Sequence, residues 1–256
     1  MIKNVVFDFG QVMVRFDPAY MVSLRVTEPD ERALLVSVIF DRLYWNALDA
    51  GTTTNDEVLK AIRTRIPQHL WDVAQEIFVN WIYTLPEIDG MREVVRECKE
   101  RYGAKVYLLS NISAYFAEHA DEIPSLADFD GCIFSAVCGM VKPNADIFEH
   151  LCRRFGLIPE ETLFVDDLAA NIAGARACGI NGYQFDGDAQ KLRRYLQEIL
   201  YLLIFLVEVF SKGSLRNSTL RICLKLAKRR LMRRTSSRSL PWISSSVFSP
   251  CISATV

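Results

Sequence analysis

The sequence predicts an α/β fold: a Rossmann-like, three-layer core around a parallel sheet, with an all-helical cap inserted near its start. Three observations carry that prediction. Residues Ile2 to Val14 read IKNVVFDFGQVMV, where Ile2, Val5, Val6 and Phe7 make a short apolar run suited to a buried strand that releases Asp8 into a turn opened by Gly10. From Glu87 onward, apolar strand-like runs alternate with helical stripes, the rhythm of a parallel sheet covered on both faces. Between Asp17 and Pro86 only helical spacing recurs. The expected organisation is a discontinuous core over residues 1–16 and 87–199, a helical cap over 17–86, and an atypical tail over 200–256, read as disordered or non-native.

Each element has its own signal. Asp17-Pro18 breaks the chain after the first strand, and Leu85-Pro86 marks the return, so the two neighbourhoods are the expected hinges. Within the cap, Leu34, Leu35, Val38 and Ile39 form one stripe, and Val58, Ile62 and Ile66 a second. Leu70, Val73, Ala74, Ile77, Phe78, Trp81 and Ile82 form a third. Thr54 with Glu57 reads as a capping box that starts a helix just after Gly51. In the core, Met91, Val94, Val95, Cys98 and Tyr102 line a helix, and Ala104 to Leu109 is a strand running into Ser110-Asn111. A short helix over 113–122, a strand over 132–137 and a helix over 144–155 follow. Thr162 to Val165 is then a strand ending in Asp166-Asp167. A helix over 168–178, a strand near 183–185 and a last helix to about Ile199 complete the pattern.

Composition narrows the function. Half the residues are hydrophobic and 24% are charged, as in a soluble globular protein. The net charge of -1 conceals an asymmetry: residues 201–256 hold ten Lys/Arg and a single acid, Glu208, which leaves residues 1–200 strongly acidic. An acidic body argues against nucleic acid as a partner. The seven cysteines are scattered without a CxxC pair, and the first apolar run is broken by Asp8. Both facts lead to the expectation of a reduced, cytoplasmic protein without a signal peptide. The apolar run over 199–210 contains Glu208 and falls short of the roughly 20 residues that span a bilayer. A basic stretch over 221–234 and eight serines after Thr235 follow it.

Polar residues collect at successive strand ends, Asp8, Ser110 and Asp166-Asp167, where open α/β sheets bind ligands. Taken singly, each has a plainer role. Asp8 reads as a turn residue, Ser110-Asn111 as a helix cap, Lys142 before Pro143 as a loop lysine, and Asp166-Asp167 as a cap with Asn171 and Gly174 serving helix packing. Two adjacent acids leaving an apolar strand, however, repel each other unless a cation lies between them.

Four segments in order, VVFDFGQV, VYLLSN, GMVKP and LFVDDLAANIAGARACG, resemble the motifs of the haloacid-dehalogenase-like hydrolases, specifically members with a helical cap after the first strand. The resemblance covers roughly residues 1–199. It implies a phosphatase acting on a small phosphorylated metabolite with Mg²⁺ as cofactor. Asp8 would be the carboxylate nucleophile that forms an aspartyl-phosphate. Asp8, Asp166, Asp167 and the backbone carbonyl of Gly10 would bind the metal. Lys142 would offset the acids and hold the transferring group, while Ser110 and Asn111 bind phosphoryl oxygens. The cap residues expected to face the site lie near Trp45 and Gly51.

One departure stands out. Most phosphatases of the family place a second Asp two residues after the nucleophile, as the acid that protonates the leaving oxygen, and here that position is Gly10. A subset resembling the α-D-glucose-1-phosphate phosphatases has a similar first motif, with Asn where Gln11 stands. Without a positioned acid, weakly basic leaving oxygens are favoured, which leads to the expectation of sugar 1-phosphates over 6-phosphates. The rival readings are a haloacid dehalogenase, which also lacks the second Asp, and a phosphate-binding protein with little turnover.

Overall fold

A computed structural model describes residues 2–211, with side chains placed through Leu200. Contacts divide the chain into two units, Met1–Phe205 and Leu206–Val256. The five strands are β1 (Asn4–Phe7), β2 (Lys105–Ser110), β3 (Gly131–Phe134), β4 (Thr162–Asp166) and β5 (Asn181–Gln184). They form one all-parallel sheet in the order β3-β2-β1-β4-β5. The chain moves outward from β1 through β2 to β3, then crosses back to add β4 and β5 on the other side. β1 therefore sits at the switch point, where a crevice opens beyond the strand tips.

Alternation along the strands sorts the core into two layers. Val5, Phe7, Val106, Leu108, Leu163 and Val165 share one apolar cluster with α6 (Met91–Glu100) and α11 (Ala189–Ser211). Val6, Tyr107, Leu109, Ile133 and Phe164 face the other way, onto Ile147, Phe148 and Leu151 of α9 (Ala145–Phe155) and Ile172 and Ala175 of α10 (Ala169–Ala177). With both faces covered, β1, β2 and β4 have to be apolar at nearly every position, which is how their sequences read.

The insertion is helical throughout: α1 (Pro18–Ser23), α2 (Pro29–Ile39), α3 (Arg42–Asp49), α4 (Asn55–Arg63) and α5 (Trp71–Asn80), with short 3-10 turns on either side of α5. The capping box is present, Thr54 Oγ1 accepting from the Glu57 amide at 3.3 Å and the Glu57 carboxylate accepting from the Thr54 amide at 3.0 Å. Asp17 caps α1 by accepting from the Tyr20 amide. The two connecting segments run side by side: the Arg15 amide donates to the Pro86 carbonyl at 2.8 Å and the Ile88 amide to the Met13 carbonyl at 2.9 Å.

The structure departs from the sequence expectations in several places, and the strand expected near 183–185 lies at Asn181–Gln184. The strand expected over 132–137 ends at Phe134 and turns into α8 (Ser135–Cys138), because Val137 is exposed and the Ser135 hydroxyl is bound inward. Helix α3 was not signalled by any stripe; its apolar contribution is only Trp45 and Leu48. The last helix, expected to end at about Ile199, runs to Ser211. The basic and serine-rich stretches expected of the tail lie outside the described residues. No helix among the described residues is long and apolar enough to cross a membrane.

Candidate active site

Strand register builds the site. Phe7 lies opposite Val165, and the Asp8 amide donates to the Val165 carbonyl at 2.9 Å, so Asp8 leaves the sheet level with Asp166. Phe7 also faces Leu108 of β2, whose C-terminal residue is Ser110. Three carboxylates, Asp8, Asp166 and Asp167, thereby offer oxygens that all lie within 4.8 Å of one another.

Lys142, on the loop after α8, reaches into this cluster. Its Nζ stands 2.8 Å from an Asp8 oxygen and 2.8 Å from an Asp166 oxygen, and its side chain is almost fully buried. Asn111 sets its position, since the Asn111 amide nitrogen donates to the Lys142 carbonyl at 2.9 Å and its oxygen accepts from the Lys142 amide at 2.8 Å. The Asn111 side chain is thus bonded twice to the lysine backbone, and the residue lines the same cavity. Asp166 is equally fixed. Asn171 donates to both its oxygens at 3.1 and 3.0 Å, and the Leu168 amide to one at 2.8 Å. Gly174 has a steric reason: a Cβ there would sit 2.3 Å from the Pro143 carbonyl oxygen, so only glycine lets α10 back directly onto the loop that carries Lys142. Ser110 is buried and lines the same cavity, its hydroxyl bonded to no other described residue. Gly10 has open space where a side chain would project.

The electrostatics follow from burial. Removal from water pushes Asp8 up from 3.8 to about 7; Lys142 pulls it down and Asp166 pushes it further up. Burial would lower Lys142, but Asp8 and Asp166 outweigh it and the ammonium is held more firmly than usual. Asp167 is raised by burial and by Asp166. One cation against three clustered acids leaves negative charge uncompensated in a poorly solvated place. The donor set is all hard oxygen, which is what Mg²⁺ selects, and the residues present fit that ion.

The acids open onto a cavity of about 300 Å³ whose far walls come from the cap. Phe16, Phe40, Trp45 and Trp81 form its aromatic side, with Trp45 centred 5.1 Å from Phe16 and 5.0 Å from Trp81. The Trp45 indole is fixed by donating to the Ile39 carbonyl at 2.8 Å. Arg42, Asn46 and Asp49 of α3 add polar groups to the same wall. Gly51 is not part of it: with φ of +68° and a built Cβ 2.6 Å from the Ala136 carbonyl oxygen, it is where the cap rests on the core. Sequence reasoning missed Asp49, Arg42 and Ser135. Only the short α3 region, unmarked by a stripe, offered a signal for the first two.

A parallel sheet with an acid cluster at its switch point, beneath an inserted helical cap, defines a capped Rossmann-like hydrolase. The chain belongs to the haloacid dehalogenase-like hydrolases, whose family model matches residues 2–179. Among its relatives, a D-ribitol-5-phosphate phosphatase of Bacteroides thetaiotaomicron is 28% identical, the match covering 79% of this chain and 99% of that protein. A sesquiterpene phosphatase, astK, of Aspergillus oryzae is also 28% identical, over 70% of this chain and 88% of that one. In fold, the chain is similar to a family enzyme of Bacteroides thetaiotaomicron solved with magnesium and inorganic phosphate (TM-score 0.56, 22% identity, 75% of this chain and 99% of that one).

Proposed function

We propose that this protein is a Mg²⁺-dependent phosphomonoesterase that hydrolyses a small phosphorylated metabolite through an aspartyl-phosphate on Asp8. The observation that carries this reading is the cluster of Asp8, Asp166 and Asp167 with the Lys142 ammonium between two of them, opening onto a cavity roofed by the cap. The two phosphatases described above support it.

Asp8 attacks the phosphorus, the bond to the leaving oxygen breaks, and water later releases phosphate from Asp8. Lys142 and Ser110 hold phosphoryl oxygens, and Asn111 acts by keeping Lys142 in place. Asp8, Asp166, Asp167 and the Gly10 carbonyl would hold the Mg²⁺. When bound, that ion supplies positive charge against the phosphoryl oxygens. The cap's aromatic wall excludes water from the reacting centre. With Gly10 where an acid is usual, leaving oxygens of low basicity react faster, so sugar 1-phosphates are preferred to 6-phosphates.

The test is a phosphatase screen with and without Mg²⁺ beside an Asp8→Asn control, using matched sugar 1- and 6-phosphates. Activity that needs both Mg²⁺ and Asp8 is expected, and equal activity in the control would refute the nucleophile. A clear preference for 6-phosphates would refute the leaving-group argument. The dehalogenase reading draws on Gly10 alone and leaves the three-acid cluster unexplained; halide release from haloacids in EDTA would establish it instead. Ligand binding without phosphate release, unchanged in Gly10→Asp, would favour a binding protein.

A further inference from the structure

Asp49 is the one carboxyl that the cap contributes to the cavity wall, facing the floor formed by Asp8, Asp167 and Lys142. Its backbone is pinned to the core: Ser135 Oγ donates to the Asp49 carbonyl at 2.6 Å while accepting from the Ile112 amide at 2.8 Å, and Gly51 seats against Ala136 two residues on. Its side chain has no hydrogen-bond partner among the described residues, although it is half-buried. We infer that the Asp49 carboxyl donates the proton to the leaving-group oxygen, supplying from the cap the acid that Gly10 does not provide.

Three observations converge on this. The backbone is held against the core at the Asp49 carbonyl and at Gly51, leaving the carboxyl free to work. Burial raises it from 3.8 to about 7, so that a large share carries its proton at neutrality, with Arg42 and Lys142 only partly opposing. Asp49 is also the last residue of α3, where the helix dipole disfavours a negative charge. The charged groups that share its cavity are Arg42 of its own helix and Lys142, Asp8 and Asp167 across from it.

The step balances. As the Asp8 oxygen bonds to phosphorus and the ester P–O bond breaks, the departing oxygen takes the Asp49 proton, leaving an alcohol, the aspartyl-phosphate and an Asp49 carboxylate. Water then attacks the phosphorus and gives a proton to Asp49, and the P–O bond to Asp8 breaks, releasing phosphate and restoring both carboxyl groups.

This inference rests on Asp8 as nucleophile, and leaving-group dependence separates the two. Asp49→Asn keeps the carbonyl that Ser135 binds, and folding is checked by near-ultraviolet circular dichroism. Turnover of a sugar 6-phosphate, whose alkoxide needs a proton, is expected to fall by about 10² to 10⁴. Turnover of p-nitrophenyl phosphate, whose phenolate does not, should fall by roughly ten-fold at most. Asp49 offsets in the wild type the 1-phosphate preference argued from Gly10, so the variant should shift selectivity toward 1-phosphates. Adding Gly10→Asp to Asp49→Asn, where open space awaits the side chain, should recover turnover of the 6-phosphate. Equal losses on both esters, or no loss on either, would overturn the inference. Turnover surviving in Asp8→Asn would overturn the nucleophile reading and this inference with it.

Discussion

Asp8 carries opposed demands: as the proposed nucleophile it has to meet a phosphoryl group in a buried place, yet burial makes its negative charge costly. Because its proton is held up to about 7 when folded, against 3.8 ordinarily, the metal-free protein loses stability as pH rises across that interval. Around pH 4 the carboxyl is neutral when folded and already partly protonated when unfolded, so little of the penalty remains. Asp8→Asn should therefore raise the metal-free Tm at pH 8 and leave it nearly unchanged at pH 4, as thermal unfolding in EDTA would show. Lys142→Met acts in the opposite sense. It leaves Asp8 and Asp166 buried without their cation, a loss of about 3–5 kcal/mol, so the metal-free Tm at pH 8 should fall by roughly 6–20 °C. A Lys142 variant as stable as wild type would mean that the ammonium does not compensate those acids.

At the scale of elements, the site depends on how closely helices approach loops. Gly174→Ala would place a methyl 2.3 Å from the Pro143 carbonyl oxygen, too close for either backbone, so α10 and the Lys142 loop must separate. Displacing Lys142 in this way should cost roughly ten- to a hundred-fold in kcat. Unchanged kinetics would show that the lysine's placement is not critical. The same elements explain what the sequence could convey. β1, β2 and β4 were legible because a strand covered on both faces has to be apolar throughout, and their polar ends stand out against it. Helix α10 was legible through its DDxxxNxxGAxxxG run, whose Asn171 and Gly174 each answer to one neighbour. Helix α3 was not legible: with Trp45 and Leu48 alone turned inward it leaves no stripe, and so the cap's acid stayed hidden. α8 was misread because Val137 resembles a strand residue, while the bond that ends the strand, Ser135 to the cap at Asp49, joins residues far apart in sequence.

For the molecule as a whole, the parallel sheet brings acids distant in sequence to one edge, and the cap closes a cavity over them with an aromatic wall and Asp49. Every residue assigned a role lies between Asp8 and Gly174, so a chain ending at Ser211 should keep Mg²⁺-dependent turnover within about two-fold of the full sequence, a small effect on the barrier. Loss of activity on that truncation would give residues 212–256 a part in catalysis. The central claim is that Asp8 receives the phosphoryl group. The most direct measurement is acid quenching during turnover with Mg²⁺, followed by peptide mass mapping. A single phosphoryl group on Asp8, absent from Asp8→Asn and absent in EDTA, is the predicted result. An unmodified Asp8 peptide throughout, with phosphate release continuing in Asp8→Asn, would contradict the account.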